Sequence, residues 1–98
     1  SDFERKLFEK TSISLLNPVA TNQKIIDATL AIATRNIEHN DYMQRYFAAN
    51  KTLFGAEENW NRYIQANPLF QRGSTESNLI LNRNPIGYQD WFRSQRTQ

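Results

Sequence analysis

The stretch from Thr21 to Ile37, TNQKIIDATLAIATRNI, decides the fold. Ile26, Leu30, Ala33 and Ile37 recur at spacings of four, three and four, which puts them on one stripe of a helix with 3.6 residues per turn. Ile25 and Ile32 widen that stripe on one side, and Lys24, Asp27 and Arg35 are expected to point away from it. Thr21 or Asn22 can cap the start. The small side chains Ala28, Ala31 and Ala33 would let a neighbouring helix approach closely. This is the expected central helix.

Helical patterning extends in both directions. Residues 3–16 read as a first helix with Phe3, Leu7 and Phe8 on one face, stopped by Asn17-Pro18, since the residue before proline disfavours helical dihedrals. Downstream, Asn40-Asp41 supplies two good N-cap residues and predicts a break. A third helix from about 41 to 53 then follows, with Met43, Phe47 and Phe54 on one face. One continuous rod through His39 is the alternative. Gly55 closes the third helix, and Ala56 to Gln65 forms the fourth. There Glu57 and Glu58 suit the positive end of the helix dipole, and Trp60, Tyr63 and Ile64 form the apolar stripe.

The final third is turn-rich. A helix capped by Ser74 is expected to carry Leu79-Ile80-Leu81, Asn84-Pro85-Ile86-Gly87 makes a further turn, and an amphipathic segment runs from Tyr88 to Arg96. No alternating β-branched run or Asn-Gly hairpin signal is present. The expected architecture is all-α, a small bundle of four to five short helices. It is read as one helical domain over residues 1–98, in which 68–98 is a turn-rich segment and amphipathic tail packing on the bundle or on a partner.

Composition limits the chemistry. The chain has 98 residues, 39% of them hydrophobic and 12% aromatic, with no cysteine and one histidine. Cysteine-based metal, disulfide and thiolate chemistry is excluded. His39 in Glu38-His39-Asn40-Asp41 lacks a second histidine to build a common zinc site, so it is read as a solvated helix end. No Gly-x-Ser-x-Gly elbow accompanies the hydroxyls. Glu57 and Glu58 point about 100° apart on a helix and cannot flank one bond. The chain is therefore expected to be non-enzymatic and without a cofactor. A carboxylate-based hydrolase or lyase would need Glu9, Glu38, Asp41 or Glu58 in a concave pocket with a raised pKa.

Charge is balanced: residues 1–53 hold seven basic and six acidic side chains, residues 54–98 five and four. Neither half is an electrostatic arm. No apolar run approaches the ~20 residues of a membrane span, and a cytoplasmic location is the default. From Trp60 onward, cations and rings interleave, and every cation there is an arginine. Arginine, tryptophan and tyrosine are enriched at binding hot spots. The candidate partner-binding residues are Tyr42, Arg45 and Tyr46 in the third helix, together with Arg62, Arg72, Arg83, Tyr88, Trp91, Phe92, Arg93 and Arg96. The plain alternative is that Trp60, Tyr63, Phe70 and Trp91 are simply core. The function read from this pattern is a helical protein–protein interaction module or assembly subunit, its partner another protein or a neighbouring domain. Nucleic acid is the alternative partner.

Overall fold

The computed structural model describes Arg5 and residues 17–75, 78–82 and 85–96. These hold three helices, α1 (Val19–Asn50), α2 (Ala56–Ala66) and α3 (Tyr88–Arg96), in an all-α arrangement. The count of four to five helices is not met. The expected helix at 3–16 lies outside the described residues apart from Arg5.

α1 runs unbroken for 32 residues, about 48 Å at 1.5 Å per residue. It starts directly after Pro18, whose carbonyl accepts from the Thr21 and Asn22 amides at 3.0 and 3.1 Å, so neither residue is the cap. The expected break at Asn40-Asp41 does not occur. Asp41 turns its carboxylate sideways to Arg45 and Tyr88 instead of capping a new helix. His39 and Tyr42 on either side both pack on Trp60. Tertiary contacts along one seam outweigh local capping preference.

That seam is Ile25, Ala28, Ile32, Arg35, His39, Tyr42 and Tyr46, buried or half-buried at alternating spacings of three and four. It is not the stripe expected from the sequence. Leu30 and Ile37 are 61% and 71% exposed, and Ile26 is exposed too. Arg35, expected to face solvent, is only 6% exposed. Its Nη1 donates to the Asn67 carbonyl at 2.7 Å, its Nη2 donates to the Tyr63 hydroxyl at 3.4 Å, and the guanidinium lies 5.0 Å from the Tyr63 ring centroid. Asn67 is the C-cap of α2. The buried cation therefore meets the negative end of a helix dipole and an unfilled carbonyl, which together replace a carboxylate partner.

Lys51, in the left-handed conformation, ends α1 with its amide bonded to Phe47 O at 2.8 Å. Gly55, expected to end that helix, is the N-cap of α2 instead, at φ +85°. The Tyr46 hydroxyl donates to Phe54 O at 2.6 Å and braces this connection.

Beyond Asn67 the helix expected over Leu79-Ile80-Leu81 is replaced by two antiparallel arms. Phe70 bridges Leu81 and Thr75 bridges Asn78, with Gln71 N to Ile80 O at 2.7 Å and Asn82 N to Leu69 O at 2.8 Å. Ser74 clasps the arms: its hydroxyl donates to Gln71 O and Ile80 O and accepts from Ile80 N. This directs Leu69 and Leu79 onto Ala28 and Ile32 of α1. The close approach expected of a neighbouring helix is made instead by these arms, at Ala28 and Ala31, while Ala33 is exposed.

The register of α1 yields a paired test. Ile32→Ala should cost about 3 kcal/mol through the cavity it leaves. Ile37→Ala should stay within about 0.5 kcal/mol. Urea melts of both variants check this, and the reverse order would mean that α1 is rotated.

Candidate functional site

A second cluster, separate from the arms, is built from rings. Trp60 and Tyr63 of α2 and Tyr88 of α3 are buried at its centre, with Tyr42, Ile64, Trp91 and Phe92 packed around them. Tyr42 stacks on Phe92 at 4.7 Å, Trp60 meets Tyr63 at 5.0 Å, and Tyr63 meets Trp91 at 5.7 Å. Trp91 and Phe92 lie edge to face at 4.9 Å. Such contacts add about 0.5–1.5 kcal/mol per pair beyond area burial.

Two hydroxyls tie α3 and its approach to this cluster. The Tyr63 hydroxyl donates to Ile86 O at 2.7 Å, just before α3. The Tyr88 hydroxyl donates to the Asp41 carboxylate, whose same oxygen accepts from Arg45 Nε at 2.8 Å. The Tyr88 hydrogen bond holds Asp41 below the usual carboxylate range, with Arg45 reinforcing it against the opposing effect of burial. Burial, then the bond to Asp41, pushes Tyr88 up. As a carboxylate, Asp41 accepts from both donors. Of the four carboxylates named for an enzyme reading, Asp41 shifts down and not up.

Around these rings, α1, α2 and α3 enclose a cleft of about 620 Å³. α1 contributes Tyr42, Arg45 and Tyr46, α2 contributes Arg62, and α3 contributes Tyr88, Trp91, Phe92, Arg93 and Arg96. These are the sequence-derived candidates apart from two. Arg72 sits on an exposed turn and does not line the cleft. Arg83 lies outside the described residues. The plain core alternative holds for Trp60 and Tyr63, which are 3% and 1% exposed. Phe70 belongs to the other cluster. Trp91 does both jobs, packing on Tyr63 and lining the cleft.

Sequence reasoning missed the cleft's amides, Asn50 and Asn59 with Gln89 and Gln95. Their signal was available: Asn59 precedes Arg62 by three residues and Asn50 follows Tyr46 by four, one helical turn in each case. Of the four cleft arginines, three are paired within their own helix: Arg45 with Asp41, Arg62 with Glu58 and Arg93 with Asp90. Arg96 has no ion pair among the described residues.

His39 is not a helix end. It lies within α1, stacks on Trp60 at 5.0 Å, and its Nε2 is 2.8 Å from Glu57 Oε2. It does not line the cleft. Among the described residues no three His, Cys, Asp or Glu side chains group as a metal site, and no helix is long and apolar enough to cross a membrane.

No protein-family model matches the chain, and neither a curated protein nor a solved structure gives a significant match.

The Asp41–Tyr88 tie sets the pH behaviour. Because Asp41 titrates lower folded than unfolded, its contribution is complete above about pH 4 and is lost as pH falls through the folded value. Tyr88 titrates higher folded, so its contribution is complete below about pH 10 and is lost on further rise. Tryptophan fluorescence followed from pH 7 downward should report an acid transition that Asp41→Asn diminishes. An unchanged transition in that variant would contradict the assignment.

Proposed function

We propose that this chain is a non-enzymatic helical interaction module or assembly subunit, whose cleft between α1, α2 and α3 receives a segment of a partner protein. The observation that carries this reading is convergence: half-buried rings and guanidinium groups from all three helices surround one cleft. Tyr42, Trp91 and Phe92 are anchored behind by the buried ring cluster and left partly open in front. Rigid aromatic surface of that kind loses little entropy on binding. The cleft volume falls in the range of about 300–1,000 Å³ typical of ligand pockets. The amides and guanidiniums around it supply donors that fix orientation, as polar groups at an interface rim do.

Site-specific photocrosslinking tests the location without disturbing the fold. A photoreactive side chain at the exposed cleft position Gln95 should capture a partner from the native lysate, and one at Arg72 should not. Trp91→Ala should weaken that capture at least tenfold. Capture from Arg72 alone, or capture indifferent to Trp91→Ala, would contradict the proposal.

A further inference from the structure

We infer that the cleft's occupant is an acidic peptide segment, with a carboxylate on Arg96 and a neighbouring aromatic side chain against the Tyr42, Phe92 and Tyr46 rings. This rests on the reading of the cleft as a partner-binding site and deepens it by naming the chemistry of the partner.

The argument starts from hydrogen-bonding capacity. Among the described residues, four guanidinium groups and no carboxylate line the cleft. A guanidinium carries five N–H donors. The intrahelical ion pairs engage Arg45 through Nε, Arg62 through Nη2 and Arg93 through Nη1. Each keeps further donors for a ligand. The amide and tyrosine oxygens of the walls also accept, but the guanidinium N–H groups outnumber them, which favours an occupant that brings acceptors.

Charge then separates a carboxylate from a polyphosphate. Asp41, Glu58 and Asp90 each offset one of the four cations, so that among the described residues Arg96 is the cleft cation without an ion pair. Phosphate tracking on a nucleic acid relies on several uncompensated cations and releases several counterions. One such guanidinium flanked by paired ones suits one or two carboxylates. Arg96 ends α3, is exposed, and lines the same cleft as Tyr42. It follows Phe92 by four residues on α3, which sets the two on the same helix face; Phe92 stacks on Tyr42, and Tyr46 lies 6.0 Å from Tyr42. A carboxylate and an aromatic ring on adjacent residues of an extended peptide can reach the two features together.

The test uses fluorescence polarisation with a labelled ten-residue peptide of glutamate and phenylalanine spaced by serine. Its comparators are the same peptide with glutamine for glutamate, and the oligonucleotide dT12. The acidic peptide should bind, and both Arg96→Gln and the glutamine peptide should weaken binding roughly tenfold, the loss of one charge-assisted hydrogen-bonded pair. Arg72→Gln should leave it unchanged. Equal affinity for the glutamine peptide, indifference to Arg96→Gln, or tighter binding of dT12 with a steep salt dependence would each overturn the inference. If Gln95 crosslinks a native partner while the acidic peptide fails to bind, the partner chemistry is wrong and the cleft assignment stands. Failure of both removes the cleft reading as well.

Discussion

The Tyr63 hydroxyl is the interaction on which the rest of the arrangement hangs. It accepts from Arg35 on α1 and donates to Ile86 ahead of α3, while its ring belongs to α2. Three segments distant in sequence are thus fixed by one oxygen on a side chain that is 1% exposed. Burial raises the pKa of this hydroxyl and keeps it protonated, so it remains a donor toward Ile86. Leaving the buried Arg35 donor unsatisfied at such depth would cost about 1–3 kcal/mol. Arg35 is tolerated in the interior for a related reason, since the end of α2 supplies the Asn67 carbonyl where a carboxylate would otherwise be needed. Its Nε has no hydrogen-bond partner, which leaves that compensation incomplete.

The cleft follows from the same arrangement. Because α1 continues past Asp41, Tyr42, Arg45 and Tyr46 are carried along α2 to the place where α3 docks. A break there would detach those side chains from the rings of α3. Asp41 serves twice, as an intrahelical partner for Arg45 and as the acceptor that holds Tyr88. The site therefore belongs to no single helix.

How much of this could be read from the chain varies by element. α2 was legible because its signals are local: Gly55 and two glutamates at its start, Trp60 and Tyr63 one turn apart, and Asn67-Pro68 at its end. α3 was legible for similar reasons. The phase of α1 was not. Ile25 and Ile26 are adjacent and both apolar, so two seams compete, and the decision falls to Arg35, whose favourable burial depends on a helix end 32 residues away. The missing break at Asn40-Asp41 has the same origin, since capping propensity is local and the contact with Trp60 is not. The paired arms at Leu69–Gln71 and Ile80–Asn82 carry no alternating pattern, and their bonds become visible only once the chain is folded. The cleft residues were legible by type, because rings and arginines interleave. Their convergence was not, and neither was the division between three arginines paired within their helices and one with no ion pair among the described residues.

Hydrogen exchange in a Tyr63→Phe variant tests the central claim most directly, because it removes one oxygen and almost no volume. The account predicts faster exchange of the α3 amides from Trp91 to Arg96, with the first half of α1 little changed and a global loss of about 2 kcal/mol. Unaltered exchange in α3 would show that the hydroxyl does not hold the segments together, and would contradict the account.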